Sequence, residues 1–366
     1  MYRLTLKSSY LHLISGQQGL LRPTMASFNA LTKSTYSNTN WDHYHRGRPP
    51  YPPSLTEIIY GYRRRHPNTS WERVVDIGAG SGVASTNFLP DFSTIHISDP
   101  SAANIDQARS FLPTHAASLG LTRKLEYSVA TGEKVNEHVG EATADLAICA
   151  TAAHFIDPDD LVTAIGKILR PGGTLAVFSY WMPTFPGKSA AFHDVFERVW
   201  DNLVLGSLIE AQGSAGDLST TRLGSVVARR MAGNGVLDSL PLPEGLFIDP
   251  QRVYINAGDG ETAYSRIFRK FEPSDRRPGG ISRVSADDKI VRYETGQDAE
   301  AEGWLFEVDK KWLSVFVNTI RPDKSSLSET EAKRAYAEWD KVFDEECEDG
   351  VLMVLWPAYL ALATKK

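Results

Sequence analysis

The stretch Val74-Val75-Asp76-Ile77-Gly78-Ala79-Gly80-Ser81-Gly82 combines an acid with three glycines at alternate positions. An apolar run of this kind is the pattern of a buried parallel strand. Glycines just past its end permit a tight turn and let backbone reach a ligand where a Cβ would intrude. A helix following over about Val83–Leu89 would aim its N-terminal amides at the crevice outside the strand's carboxyl end. The dinucleotide fingerprint is G-x-G-x-x-G; here the spacing is G-x-G-x-G, with an acid two residues before the first glycine. An acid aimed at that loop repels a pyrophosphate and attracts a cationic amino group. The spacing therefore points away from NAD and towards a sulfonium cofactor with an amino-acid end.

The elements that must position these residues follow in order. Thr94–Ser98 forms a short strand ending at Asp99-Pro100-Ser101, about 20 positions after the glycines, where an acid can accept from ribose hydroxyls. A third strand, Leu125–Val129, runs into Ala130-Thr131-Gly132-Glu133. A fourth, Asp145–Ala150, leads to Ala153-His154-Phe155-Ile156-Asp157. A helix over Pro158–Leu169 has Asp157 as N-cap and Pro158 at its first position. Arg170-Pro171-Gly172-Gly173 reads as a turn before a fifth strand, Thr174–Tyr180. Strands alternating with helices make a doubly wound α/β sheet.

These marks resemble the class I SAM-dependent methyltransferases (SAM, S-adenosyl-L-methionine). Asp-x-Gly-x-Gly-x-Gly stands at 76–82, the strand-2 acid at 99, Ala-x-His-Phe-x-Asp at 152–157 and Leu-Arg-Pro-Gly-Gly at 169–173. More narrowly, Tyr44-His45-Arg46-Gly47-Arg48-Pro49-Pro50-Tyr51-Pro52 is similar to the opening of the fungal trans-aconitate methyltransferase-like group. The likeness covers 41–180, thins over 181–300 and returns faintly near Gly303–Ile320 and Val351–Lys366. It implies a mostly parallel, Rossmann-like sheet of seven strands with an α-rich substrate-side insertion, SAM as cofactor and a small-molecule acceptor methylated at oxygen. A carboxylate such as trans-aconitate, or a fungal secondary metabolite, is the implied acceptor. Two rivals stand beside it: a SAM-fold regulator or rearrangement catalyst without methyl transfer, and an NAD-linked oxidoreductase, which Asp76 opposes.

Methyl transfer is an in-line displacement, so a protein's tasks are alignment and exclusion of water. On this reading Asp76 orients the cofactor's amino group, or else caps its strand. Gly78, Gly80 and Gly82 pass backbone close to the cofactor. Asp99 binds ribose or is a turn acid; Thr131 and Glu133 lie near adenine or are ordinary loop groups. His154 is the candidate base, or orients a carboxylate, or is simply packed. Tyr44, Arg48 and Tyr51 form a lid, in which Arg48 grips a carboxylate with two prongs or pairs with a helix acid. Phe155 and Trp181 are expected to line the acceptor pocket, with core packing the rival for Trp181.

The 366 residues carry 39 Lys+Arg against 45 Asp+Glu, a net charge of −6 that argues against a nucleic-acid groove. Arg63-Arg64-Arg65 reads as a solvated helix end. Two cysteines, Cys149 and Cys347, form no framework and fit a reducing compartment. No zinc cluster, HExxH or Gly-x-Ser-x-Gly occurs, so no metal is expected. The run Val351–Ala363 is too short to span a membrane and contains Pro357. Residues 1–40 are read as a leader, disordered or targeting. Their basic, acid-free composition resembles a mitochondrial transit peptide, the alternative to a cytoplasmic location. The SAM domain then spans 41–180, the insertion 181–302, and 303–366 completes the sheet. Within these, capping boxes open helices at Ser54 and Ser328. A helix is expected near Ala190–Leu205, a strand near Arg252–Asn256, and a helix over Trp304–Ile320. Val351–Ala363 is an antiparallel strand, bulged or split at Pro357.

Overall fold

The computed structural model describes residues 44, 46–66, 70–200, 236–258, 282–320 and 329–366. The expected leader 1–40 and Ser328 lie outside the described residues. In chain order the strands are β1 Arg73–Ile77, β2 Thr94–Asp99, β3 Lys124–Val129, β4 Ala144–Ala150, β5 Leu169–Tyr180, β6 Phe247–Ile255, β7 Lys289–Tyr293, β8 Leu305–Asp309, β9 Val351–Leu355 and β10 Ala358–Lys365. The helices are α1 Pro53–Arg64, α2 Ala102–Ser118, α3 Asn136–Val139, α4 Pro158–Ile168, α5 Ala190–Trp200, α6 Lys310–Ile320 and α7 Glu329–Glu346.

The main sheet has the order β3-β2-β1-β4-β5-β10-β6-β7, and β8 and β9 form a separate pair. Neighbours from β3 through β5 are parallel, β10 is antiparallel to both β5 and β6, and β7 is parallel to β6. The main sheet thus has eight strands, one more than expected. The stretch 181–302, expected to be an α-rich insertion, supplies two of them. Strand order reverses between β1 and β4, the switch point at whose carboxyl ends open α/β sheets bind their ligands. The central strands are almost wholly apolar and buried because helices cover both faces.

Several local expectations change once the chain is packed. Ser54 does not cap α1; Pro52 holds the N-cap position, and Ser54 Oγ donates to the Glu302 carbonyl at 2.6 Å. Arg63 is not solvated but 1% exposed, donating to the Asp145 carbonyl (2.5 Å) and the Ser70 carbonyl (2.6 Å). Its guanidinium lies 4.7 Å from the Trp71 ring centroid. The Asp145 carboxylate accepts from the Glu72 and Arg73 amides and pairs with Arg170 at 3.1 Å, tying together the amino ends of β1, β4 and β5. Residues 170–173 are not a free turn but the start of β5. There the register against β4 slips between Ala144↔Leu169 and Leu146↔Thr174, and Gly172 takes φ 80°.

The expected helix over Trp304–Ile320 begins instead as β8 and turns helical only at Lys310. Its partner β9 explains why: Leu305–Asp309 pairs residue by residue with Val351–Leu355. Pro357 splits the last strand rather than bulging it. Trp356 donates its backbone N–H to Trp304 and the Pro357 carbonyl accepts from Trp181, so the chain leaves one sheet for the other without needing a proline N–H.

Candidate active site

Asp76 is fully buried near the carboxyl end of β1. Its Oδ2 accepts from Ser85 Oγ at 2.7 Å, while Oδ1 has no hydrogen-bond partner. Burial raises the carboxyl from its ordinary 3.8 to about 7; the Ser85 bond opposes the rise and nearby Asp99 adds to it. The loop beyond turns on glycines with φ 68°, 58° and 85° at Gly78, Gly80 and Gly82. Gly78 and Ala79 donate to the Ser98 carbonyl on β2, at 2.8 and 3.0 Å. A Cβ on Gly78 would sit 2.7 Å from Ala152 Cβ, so the glycine is what lets this loop meet the one after β4. The segment expected as a helix over 83–89 is a single 3-10 turn, Ala84–Phe88.

Asp99 ends β2 and is 6% exposed. Its Oδ1 accepts from the Ser101 amide (2.9 Å) and Asn104 Nδ2 (3.0 Å), and its Oδ2 from the Gly80 amide (2.9 Å). Burial raises its pKa against the pull of these three donors. The acid and the glycine loop are therefore one hydrogen-bonded unit. Thr131, buried, and Glu133, half-buried, sit at the 3-10 turn Gly132–Lys134 after β3. Asp157 caps α4 as expected, accepting from the Asp159 and Asp160 amides.

On the other side of the switch point, the leading segment lies over the ends of β4 and β5. The Tyr51 hydroxyl is 2.9 Å from Thr151 Oγ1, and its ring meets Phe178 edge-on with centroids 5.3 Å apart. Burial, with Tyr180 adding, holds the Tyr51 phenol well above the ordinary value, so it stays a neutral O–H. Asn87, from the turn after the glycines, donates to the Tyr51 carbonyl at 3.1 Å. Arg48 donates to the Thr319 carbonyl (3.0 Å) and lies 3.5 Å from the Tyr180 hydroxyl, with its guanidinium over the Tyr44 ring at 4.6 Å. Gly47 is what admits α6 here, since a Cβ would overlap Val315.

His154 and Phe155 occupy the 3-10 turn after β4; His154 is 5% exposed and its ring lies 4.0 Å from that of Phe155. Trp181 is buried beside Pro357. The fold thus gathers Asp76, the glycines and Asp99 into one cluster, and Tyr44, Arg48 and Tyr51 into a second. Three residues of the site escaped sequence reasoning. Ser85 and Asn104 are short polar residues in local turns whose partners lie in other elements. Thr151 takes φ 51°, uncommon for a β-branched residue, and nothing in its neighbours announces it.

A family model described as a methyltransferase domain matches residues 75–177. The chain is 28% identical over 327 residues to the methyltransferase gedG of Aspergillus terreus, covering 89% of this chain and 91% of that one. It is 23% identical over 350 residues to the methyltransferase cfoB of Aspergillus candidus, covering 93% and 100%. A shorter match, to the methyltransferase tpcM of Aspergillus fumigatus, reaches 32% over 163 residues and covers 44% and 47%. The matched domain and these relatives support a class I SAM-dependent methyltransferase. The residues of the site fit SAM as cofactor: the unpartnered, buried Asp76 Oδ1 is suited to an ammonium, directly or through a bridging water. The left-handed glycine loop beside it leaves room for backbone approach.

Among the described residues, no group of three or more His, Cys, Asp and Glu is placed to hold a metal. No described helix is long and apolar enough to cross a membrane. An open cleft of about 540 Å³ lies elsewhere, lined by Lys188, Glu307, Glu346, Glu348 and Asp349. None of these residues belongs to either cluster above.

Proposed function

We propose that the protein transfers a methyl group from SAM to the oxygen of a small-molecule acceptor, a carboxylate such as trans-aconitate or a fungal secondary metabolite. The observation that carries the methyl-donor half is the buried Asp76 oxygen without a donor beside the glycine loop. SAM supplies an electrophilic methyl on a sulfonium that leaves as a neutral thioether. Asp76 holds the amino-acid end and Asp99 the ribose, with Thr131 and Glu133 flanking the adenine. Tyr44, Arg48 and Tyr51 cover the crevice and exclude water, which strengthens every charge interaction inside it.

Arg48 supports the acidic acceptor: its fixed positive charge sits at the leading segment, beside Tyr180 and the aromatic wall of Tyr51 and Phe178. A carboxylate acceptor is already ionised at neutral pH and needs no base. For a hydroxyl acceptor the proton has to go to a nearby base, and His154 is the residue assigned to take it. The free, buried Cys149 and Cys347 support a reducing location, the cytoplasm.

The test is production of S-adenosylhomocysteine by the purified protein with a panel of acceptors that includes trans-aconitate, other carboxylic acids and phenols. Methylation of an acid or hydroxyl is the expected result. Tight binding of SAM with no acceptor-dependent turnover across the panel, and no methylated metabolite lost in a deletion strain, would leave a cofactor-binding protein without transferase activity.

A further inference from the structure

The hydrogen bonds around Asp99 are too many for it to receive a ribose alone. A carboxylate offers about four lone-pair sites. Oδ1 already accepts from the Ser101 amide and Asn104 Nδ2, and Oδ2 from the Gly80 amide. One site remains, on Oδ2. A ribose presents two vicinal hydroxyls, and both must find acceptors if they are taken out of water, because an unpaired buried hydroxyl is costly.

The second acceptor is next door. Asn104 sits in the first turn of α2, its backbone N–H donating to the N-cap Ser101 Oγ at 3.4 Å, so its position is fixed by the helix start. The residue is 4% exposed. Its amide is oriented by the Nδ2 bond to Asp99, because the flipped amide would set a carbonyl oxygen against a carboxylate. That leaves Asn104 Oδ1 buried with no hydrogen-bond partner. An acceptor with nothing to accept, beside a carboxylate with one site free, matches a pair of adjacent hydroxyls.

We propose that Asp99 and Asn104 share the ribose, Asp99 Oδ2 accepting from one vicinal hydroxyl and Asn104 Oδ1 from the other. The inference rests on Asp99 being the ribose residue, and the two can fail separately. The experiment is calorimetric titration with S-adenosylhomocysteine and its 2′-deoxy and 3′-deoxy forms, on the unaltered protein, Asn104→Leu and Asn104→Ser. In the unaltered protein each deoxy form binds more weakly, by roughly 3- to 10-fold for the hydroxyl on Asn104, a neutral hydrogen bond, and by roughly 10- to 150-fold for the one on the Asp99 carboxylate. In both Asn104 variants one of the two deoxy forms loses its penalty and binds as well as the parent, while the other keeps it.

Penalties unchanged in a folded variant would show that Asn104 touches no hydroxyl and would overturn the inference alone. Both penalties shrinking equally would overturn it too, making Asn104 only a support for Asp99. An unaltered protein indifferent to both deoxy forms would remove the ribose reading of Asp99, and the inference with it. Asn104→Ser serves if the leucine variant does not fold, since serine is small and fits the first turn of a helix.

Discussion

If Asp76 holds the cofactor's amino group, as proposed, cofactor affinity depends on pH in a direction the structure fixes. Without ligand its carboxyl titrates at about 7, raised by burial from 3.8. A cationic amino group binds the ionised form, so the proton must leave first. The apparent dissociation constant then scales as one plus the ratio of protonated to ionised Asp76. That gives a weakening of roughly tenfold from about pH 7.5 to 6, and about tenfold more to pH 5. Above about pH 8 affinity declines again as the ligand's α-amino group loses its own proton. Titration calorimetry with S-adenosylhomocysteine, in buffers of different ionisation heat, reads both the slope and the proton released.

Asp76→Asn removes the acid limb of that profile. It weakens binding at about pH 7.5 by on the order of 10- to 150-fold, the loss of a charge-assisted bond of about 1.5–3 kcal/mol. The same substitution stabilises the unliganded protein. With its pKa raised in the folded state, Asp76 keeps a proton that the unfolded chain gives up, so stability falls as pH rises from 3.8 to about 7. Above that window the accumulated cost is on the order of 4 kcal/mol at most, and the asparagine escapes it. A flat affinity between pH 6 and 7.5, or an Asp76→Asn protein that binds normally, would refute the assignment.

Gly80→Val should abolish binding of S-adenosylhomocysteine in a folded protein, because φ 58° is strained for a β-branched residue and the Cβ enters the space of backbone approach; calorimetry at millimolar ligand checks it, with NADH as the control that should not bind to either form. Asp99→Ala should weaken S-adenosylhomocysteine binding by roughly 10- to 150-fold, and an unchanged dissociation constant would make it a turn residue only. Arg48→Lys keeps the charge and loses the planar fork, so acceptor KM should rise while SAM affinity stays within about twofold; the reverse pattern in steady-state kinetics places Arg48 with the cofactor. Asp288→Ala leaves Arg252, 1% exposed and paired with Asp288 at 2.7 Å, without its counter-ion. Chemical denaturation should show a loss of about 3–5 kcal/mol.

Much of the candidate cofactor side was legible in the sequence because its residues are local to strand ends. Asp76 and the glycines fall within one turn of chain, and Asp99 follows at the tip of the next strand, so period and spacing were enough to place them. Asp157 and Pro158 likewise announced α4 from adjacent residues. The failures share the opposite property. Ser54 looked like a helix cap, but its hydroxyl is taken by a carbonyl 248 residues away. Arg63 looked like a solvated charge, yet β4 supplies the carbonyl that makes its burial affordable. Trp304–Ile320 had a helical pattern throughout, and pairing with β9 overrode it over Leu305–Asp309.

By itself, then, the sequence determined the α/β alternation, the glycine loop, its acid and the cofactor class, all consequences of short-range periodicity and steric freedom. Tertiary structure alone decided that the strand near 252 joins the main sheet and is followed by another near 290, making eight strands, and that Pro357 divides the last strand between two sheets. It alone brought Thr151, with its left-handed backbone, under the Tyr51 hydroxyl, and left Asp76 Oδ1 and Asn104 Oδ1 without donors. A sequence pattern records which face of an element is apolar. Which polar atoms go unpaired depends on every neighbour at once, and that is settled only when distant segments pack.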